Sequence, residues 1–396
     1  MNKLTRETGL RQPVSNQELE RRWKAVREAM AKEGLDCLVM QDGDMHLGGY
    51  VRYFTDIPAE NSYTRSVVFP IDDEITFINH GADPLPSSAP DWALYGVKKN
   101  VGVPAIHTLN FTNTMEPQAA VEAIKARKTK SLGFVSKGSM AASFYEYVKE
   151  NLPGVEMRDA TNLVDEIKSI KSEEEMSLIM KTVVMQDIMW GATLALVQPG
   201  VREWELRSQI MHLLKNMGSE EQLIMIGSGP AGTPAGHKSS FFQNRTLQEG
   251  DQIMIMIEVN GLGGFYGEIG RTVCIGEPSP SMQKAWKDAV ELQDRAAELM
   301  KPGSVSSDVF HDYNKVLTGM GYRPEGRLFA HSQGYALVER PGIRPEETMT
   351  IKSGMFLAVH PIALSDEAYA FCCDNFLITE TGGVRLHKTP RELFVV

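Results

Sequence analysis

The sequence predicts a two-domain chain of mixed α/β (α+β) class, and three observations carry that prediction. A chain of 396 residues with 42% apolar content can bury two substantial cores. In the first 165 residues short apolar runs take turns with helical periodicity, the pattern of an α/β domain. A second series of helices and strands then starts behind its own capping signal, so the domains are read as 1–165 and 166–396.

In chain order, residues 16–30 space their apolar side chains at three and four, which predicts an amphipathic helix ended near Gly34. Strands are predicted at 35–40, 65–70, 74–78 and 131–135, with a helix near 117–127. Ser172 followed by Glu175 forms a capping-box signature, so a long helix starts there and runs to about Leu196, where Pro199-Gly200 stops it. Residues 203–217 form the next helix. Gly227-Ser228-Gly229-Pro230 and Ala235-Gly236-His237 read as a small-residue loop. The alternating run 252–259, the turn signal Asn260-Gly261-Leu262-Gly263-Gly264 and the run 265–275 predict a hairpin. Helices at about 281–301 and 306–320 precede strands at 356–360 and 375–379.

A formal charge of -10 argues against nucleic acid or an anionic membrane as the main partner and favours small molecules or peptides. The polar opening residues and the lack of any run of eighteen apolar residues predict a soluble, cytoplasmic protein. Cys37, Cys274, Cys372 and Cys373 make no disulfide framework in so long a chain and read as reduced thiols.

The order of Ile167-Lys168-Ser169, Pro199-Gly200 with Glu203, Gly250-Asp251, Gly264-Phe265 with Arg271-Thr272, His331-Ser332-Gln333-Gly334, Gly354-Met355 with Pro361, and Asp374 through Gly382 resembles the creatinase and aminopeptidase P family. That resemblance implies a creatinase-like N-terminal domain followed by a C-terminal catalytic domain of pita-bread fold. In the metal-dependent members two Asp, one His and two Glu hold a pair of divalent ions. Counted from Arg271, those positions here carry Ile257, Glu268, His331, His360 and Cys373, and the family's second His is Val338. An Ile in place of a bridging carboxylate predicts no cofactor.

The creatinase branch works without metal, and the resemblance to it implies His237 as base and then acid, with Glu268 on the hairpin beside the substrate. Arg65, supplied by a dimer partner, would bind a carboxylate, and His331, His360 and Arg340 would complete the substrate contacts. The expected activity is a metal-independent hydrolysis of a C–N bond in a small carboxylate-bearing amide, urea or amidine. The expected assembly is a homodimer with its active site near the subunit interface. Counting from Gly250-Asp251 instead shifts the first ligand position to Met256. The hairpin then carries an extra residue, and a bulge turns Glu258 inward. In that case Glu268, His331, His360 and Cys373, with Glu258, hold one zinc, as in an Xaa-Pro-type metallopeptidase with atypical ligands. The same residues would also suit a lyase using the His/Glu pair, or a non-catalytic binding protein of this fold.

Overall fold

The structure, a computed structural model, describes residues 4–61, 63–82 and 87–396. It divides into two compact units, Met1–Lys168 and Ser169–Val396.

In the first unit the helix Asn16–Glu33 begins where Ser15 Oγ accepts the Glu18 amide and ends on Gly34, whose φ of 67° a side chain would disfavour. Its buried residues Leu19, Trp23, Val26 and Met30 recur at the predicted spacing. Six strands form one mixed sheet in the order Val97–Val103, Ile75–His80, Arg65–Pro70, Cys37–Asp42, Ser131–Val135, Glu156–Asp159. The helices Met115–Ala126 and Ala142–Asn151 cover one face, where Val39, Val68, Ile124, Phe134 and Val148 close the core. The two edge strands carry Lys98, Lys99 and Arg158 and are only partly buried, so they lack the apolar alternation that marks the inner ones.

The second unit opens with the expected capping box. Ser172 Oγ accepts the Glu175 amide while the Glu175 carboxylate accepts the Ser172 amide, and the helix runs Glu173–Leu196. Two layered halves follow. Strands Gln222–Pro230, Asp251–Asn260, Tyr266–Cys274 and Phe394–Val395 form a sheet packed on the helices Glu173–Leu196 and Glu203–Asn216. Strands Glu339–Gly342, Ala330–Ser332, Phe356–Val359, Asp374–Thr379 and Gly382–Arg385 form another, packed on Pro280–Leu299 and Ser306–Gly319. A small hairpin, Ile362–Leu364 with Tyr369–Phe371, lies in sequence between Phe356–Val359 and Asp374–Thr379.

The halves are joined where Gly270 and Cys373 exchange both backbone hydrogen bonds, at 3.1 and 3.0 Å, and again where the Tyr266 amide donates to the Gly334 carbonyl at 2.8 Å. A Cβ on Gly270 would lie 2.1 Å from the Phe371 ring, so only glycine allows this approach. Beside it Arg271 is fully buried. It pairs with Asp374 at 2.7 Å and donates to the Cys373, Gly270 and Pro390 carbonyls.

Two expectations are corrected here. The central hairpin has a continuous register from Gln252↔Cys274 to Asn260↔Tyr266, with no bulge. Plain alternation therefore sends Ile253, Ile255, Ile257 and Val259 to the helix side and Glu258 to the other face, directly opposite Glu268. Residues 227–230, read as loop from their glycines, belong to a strand. The loop backbone packs on that strand so closely that a side chain at Gly227 would collide with the Gly236 carbonyl. Among the described residues no helix is long and apolar enough to cross a membrane.

Candidate metal centre

Glu268 reaches the gap between the halves from the hairpin, His331 from the strand Ala330–Ser332 and His360 from the residue after Phe356–Val359. All three are buried, and one donor atom of each lies within 4.8 Å of the others. His331 Nδ1 sits 3.0 Å from the Ser332 carbonyl, which acts as acceptor, so the Nδ1 proton is held there and Nε2 presents its lone pair. That Nε2 is 3.6 Å from Glu268, and the His331 and His360 rings are 5.2 Å apart.

Burial opposes the charge on Glu268, but His360, His331 and the Cys373 thiol outweigh it and hold the carboxyl below the usual carboxylate range. Burial also pulls His360 down to about 4, so at neutral pH that ring is uncharged. The Cys373 thiol remains as a hydrogen-bond donor to the Glu268 carboxylate. The Cys373 Sγ lies 3.3 Å from Glu268 Oε1, and burial followed by the Glu268 charge keeps it a thiol. It is therefore a hydrogen-bond donor to the cluster, and it is not one of the converging donors. Glu258 behaves oppositely to Glu268, since burial and then the Glu268 charge push its pKa well above normal.

Behind this cluster runs a chain of buried amides that sequence reasoning missed. Gln333 donates to Glu258 at 2.7 Å, Asn375 donates to Gln333 at 2.8 Å, and the Asn375 oxygen accepts the Glu268 amide at 2.8 Å. His387 Nε2 lies 3.2 Å from the Glu268 carbonyl, and its Nδ1 is 3.4 Å from Asp187. Nothing local announces these partners, which lie far apart in the chain.

His237 lies on the loop after the strand Gln222–Pro230. Its Nδ1 is 2.7 Å from the Tyr369 hydroxyl, and its ring meets Phe371 edge-on at 4.7 Å. Burial lowers its pKa to about 4, with Glu268 pulling up and Arg327 pushing down.

The predicted arginines have other commitments. Arg65 is buried, pairs with Glu60 at 2.9 Å and donates to the Pro58 carbonyl. Arg340 makes a two-point contact with Glu347, at 2.9 and 2.5 Å. Lys238 and Glu339 hold ion pairs with buried Glu203 and Lys171. The exposed Arg327 has no ion pair among the described residues, and its charge acts on His237, Glu258, His360 and Tyr369.

With this geometry in view, the model of metallopeptidase family M24 matches residues 177–389, and that of the creatinase/prolidase N-terminal domain matches residues 22–170. An Xaa-Pro dipeptidase of Pyrococcus furiosus is 28% identical over 276 residues, which span 67% of this chain and 76% of that protein. An uncharacterized hydrolase/peptidase of Sinorhizobium fredii is 25% identical over 96% of this chain and 97% of its own length. Among solved structures, an Xaa-Pro dipeptidase from Bacillus anthracis superposes with a TM-score of 0.78 at 19% identity, covering 96% of this chain and 100% of that one. A prolidase from Thermococcus sibiricus gives 0.79 at 19% identity, covering 97% and 100%. These two likenesses are of fold.

The metallopeptidase match and the convergence of Glu268, His331 and His360 overturn the expectation of no cofactor. That expectation rested on Ile257, whose side chain packs in the helix-side core, so its identity says little about the pocket. Two imidazoles and a carboxylate, buried and mutually close, suit one divalent ion of the zinc class.

Proposed function

The chain belongs to metallopeptidase family M24, a family of hydrolases acting on peptide C–N bonds, and from that premise we propose a metal-assisted hydrolase of a small amide that carries a carboxylate, the Xaa-Pro dipeptide being its peptide case. The observation that carries the reading is the buried Glu268, His331 and His360 group. An ion held there would polarise the scissile carbonyl and acidify a water molecule.

The protein's own side chains divide the remaining work. Cys373 and the Asn375 contact to the Glu268 amide fix the Glu268 carboxylate, and the Ser332 carbonyl fixes the His331 tautomer. His237, neutral at pH 7 and steadied at Nδ1 by Tyr369, takes a proton from the attacking water at Nε2 and passes it to the leaving nitrogen. Arg327, at the protein surface, receives the substrate carboxylate in place of the committed Arg65 and Arg340. The active form is a homodimer in the cytoplasm. The exposed Phe241 and Phe242, just past His237, supply apolar surface for the second subunit, and the buried free cysteines suit a reducing compartment.

The test is hydrolysis of a panel of Xaa-Pro dipeptides and N-acyl amino acids in ¹⁸O-water. Label in the product carboxyl is the expected result. Cleavage without label identifies a lyase and overturns the hydrolase, while the absence of turnover on the whole panel leaves a binding protein.

A further inference from the structure

We propose that this centre takes one divalent cation of the zinc, cobalt or iron(II) type per chain, on Glu268, His331 and His360, and that the second ion of the two-metal arrangement has no place in it. The inference rests on the metal-hydrolase reading above and narrows it.

Two ions about 3.5–4 Å apart need carboxylates that bridge them. Here the strand that would provide the first bridge turns Ile257 into the helix-side core and gives its other face to Met254 and Met256, which pack with Phe371 and Cys373. Those four residues make the wall beside Glu268 apolar, and a hard or borderline cation gains nothing from it. Glu258 is the one further carboxyl on that face. It stands opposite Glu268 in the hairpin, yet its Oε1 accepts from Gln333 at 2.7 Å, and it falls outside the group whose donor atoms converge.

The remaining family position, Cys373, hydrogen-bonds to Glu268 and is held by the Gly270 backbone on both sides. What is left is a site with two imidazoles, one carboxylate and a free coordination position. That is the composition of catalytic single-zinc centres, and its nitrogen donors disfavour magnesium and calcium.

The experiment is metal stoichiometry on the full chain. Protein stripped with chelator is loaded with excess zinc and desalted, and zinc is measured against sulfur by mass spectrometry. One equivalent per chain is expected. A parallel cobalt(II) titration should saturate its visible absorption at one equivalent without a thiolate-to-cobalt band, because Cys373 stays outside the coordination sphere. Two tightly held equivalents overturn the single-ion proposal and leave the metal-hydrolase reading intact, whereas none overturns both.

Glu258→Gln should keep its one equivalent, and loss of the ion in a variant that stays folded by circular dichroism would show Glu258 to be a ligand and refute the assignment. His360→Ala should fall below a tenth of an equivalent. Should that variant fail to fold, the wild-type stoichiometry still decides.

Discussion

Replacing Arg271 by Met removes the cation from a pair whose side chains are both fully buried and whose closest contact is 2.7 Å. The same guanidinium donates to the Cys373, Gly270 and Pro390 carbonyls, so the change also loosens the Gly270–Cys373 junction between the two halves of the second unit. Breaking a buried ion pair from one side costs about 3–5 kcal/mol, because the remaining charge stays desolvated. Asp374 keeps Gln293 at 3.1 Å and Arg385 at 3.3 Å, which places the expected loss near the lower end, about 3 kcal/mol. That is on the order of a hundredfold in the folded-to-unfolded ratio. Urea unfolding followed by tryptophan fluorescence reads it, since Trp190 and Trp286 lie buried in this unit. The double variant Arg271→Met with Asp374→Asn should recover part of the loss, having no stranded charge. A loss below about 1 kcal/mol, or a double variant no better than the single one, would refute the view that this pair clamps the two halves.

His237→Gln should lower kcat by roughly 10² to 10⁴ with little change in KM, and wild-type turnover in that variant would remove His237 from the mechanism. Because burial, against the pull of Glu268 and with the push of Arg327, lowers the His237 pKa to about 4, the activity limb should rise near pH 4, where an exposed imidazole would put it near 6.5. Stability of the metal-free protein should fall as pH drops from about 6.5 to 4, since the unfolded chain takes protons there that folded His237 and His360 refuse. A flat denaturation midpoint across that window would show both rings to be solvated. Arg327→Ala should raise KM about tenfold for a carboxylate-bearing substrate and leave kcat nearly unchanged, with no effect on the corresponding C-terminal amide. Equal effects on acid and amide would mean Arg327 does not read the carboxylate.

Local signals were legible in the sequence because short-range chemistry makes them. The capping box at Ser172 and the left-handed Gly34 each need only four or five neighbouring residues to act. The hairpin strands were equally plain, but which face each residue takes was not. An expected bulge was invoked to bring Glu258 inward, whereas an uninterrupted register does so by alternation. Positions 268, 331 and 360 were located through family resemblance, and their convergence depends on strands brought together across the Gly270–Cys373 bridge. Gln333, Asn375 and His387 carry no signal of their own, since their partners lie 12 to 119 residues away. Arg65 and Arg340 looked available because a sequence does not show that Glu60 and Glu347 fold back onto them.

The most direct test of the account compares turnover on the best substrate of the dipeptide and N-acyl panel for the protein as purified, after chelator stripping, and after adding back zinc or cobalt(II). The account predicts that stripping abolishes turnover, that either ion restores it, and that His331→Ala and His360→Ala variants which remain folded are not restored. Full turnover by the stripped protein in the continued presence of chelator would contradict it.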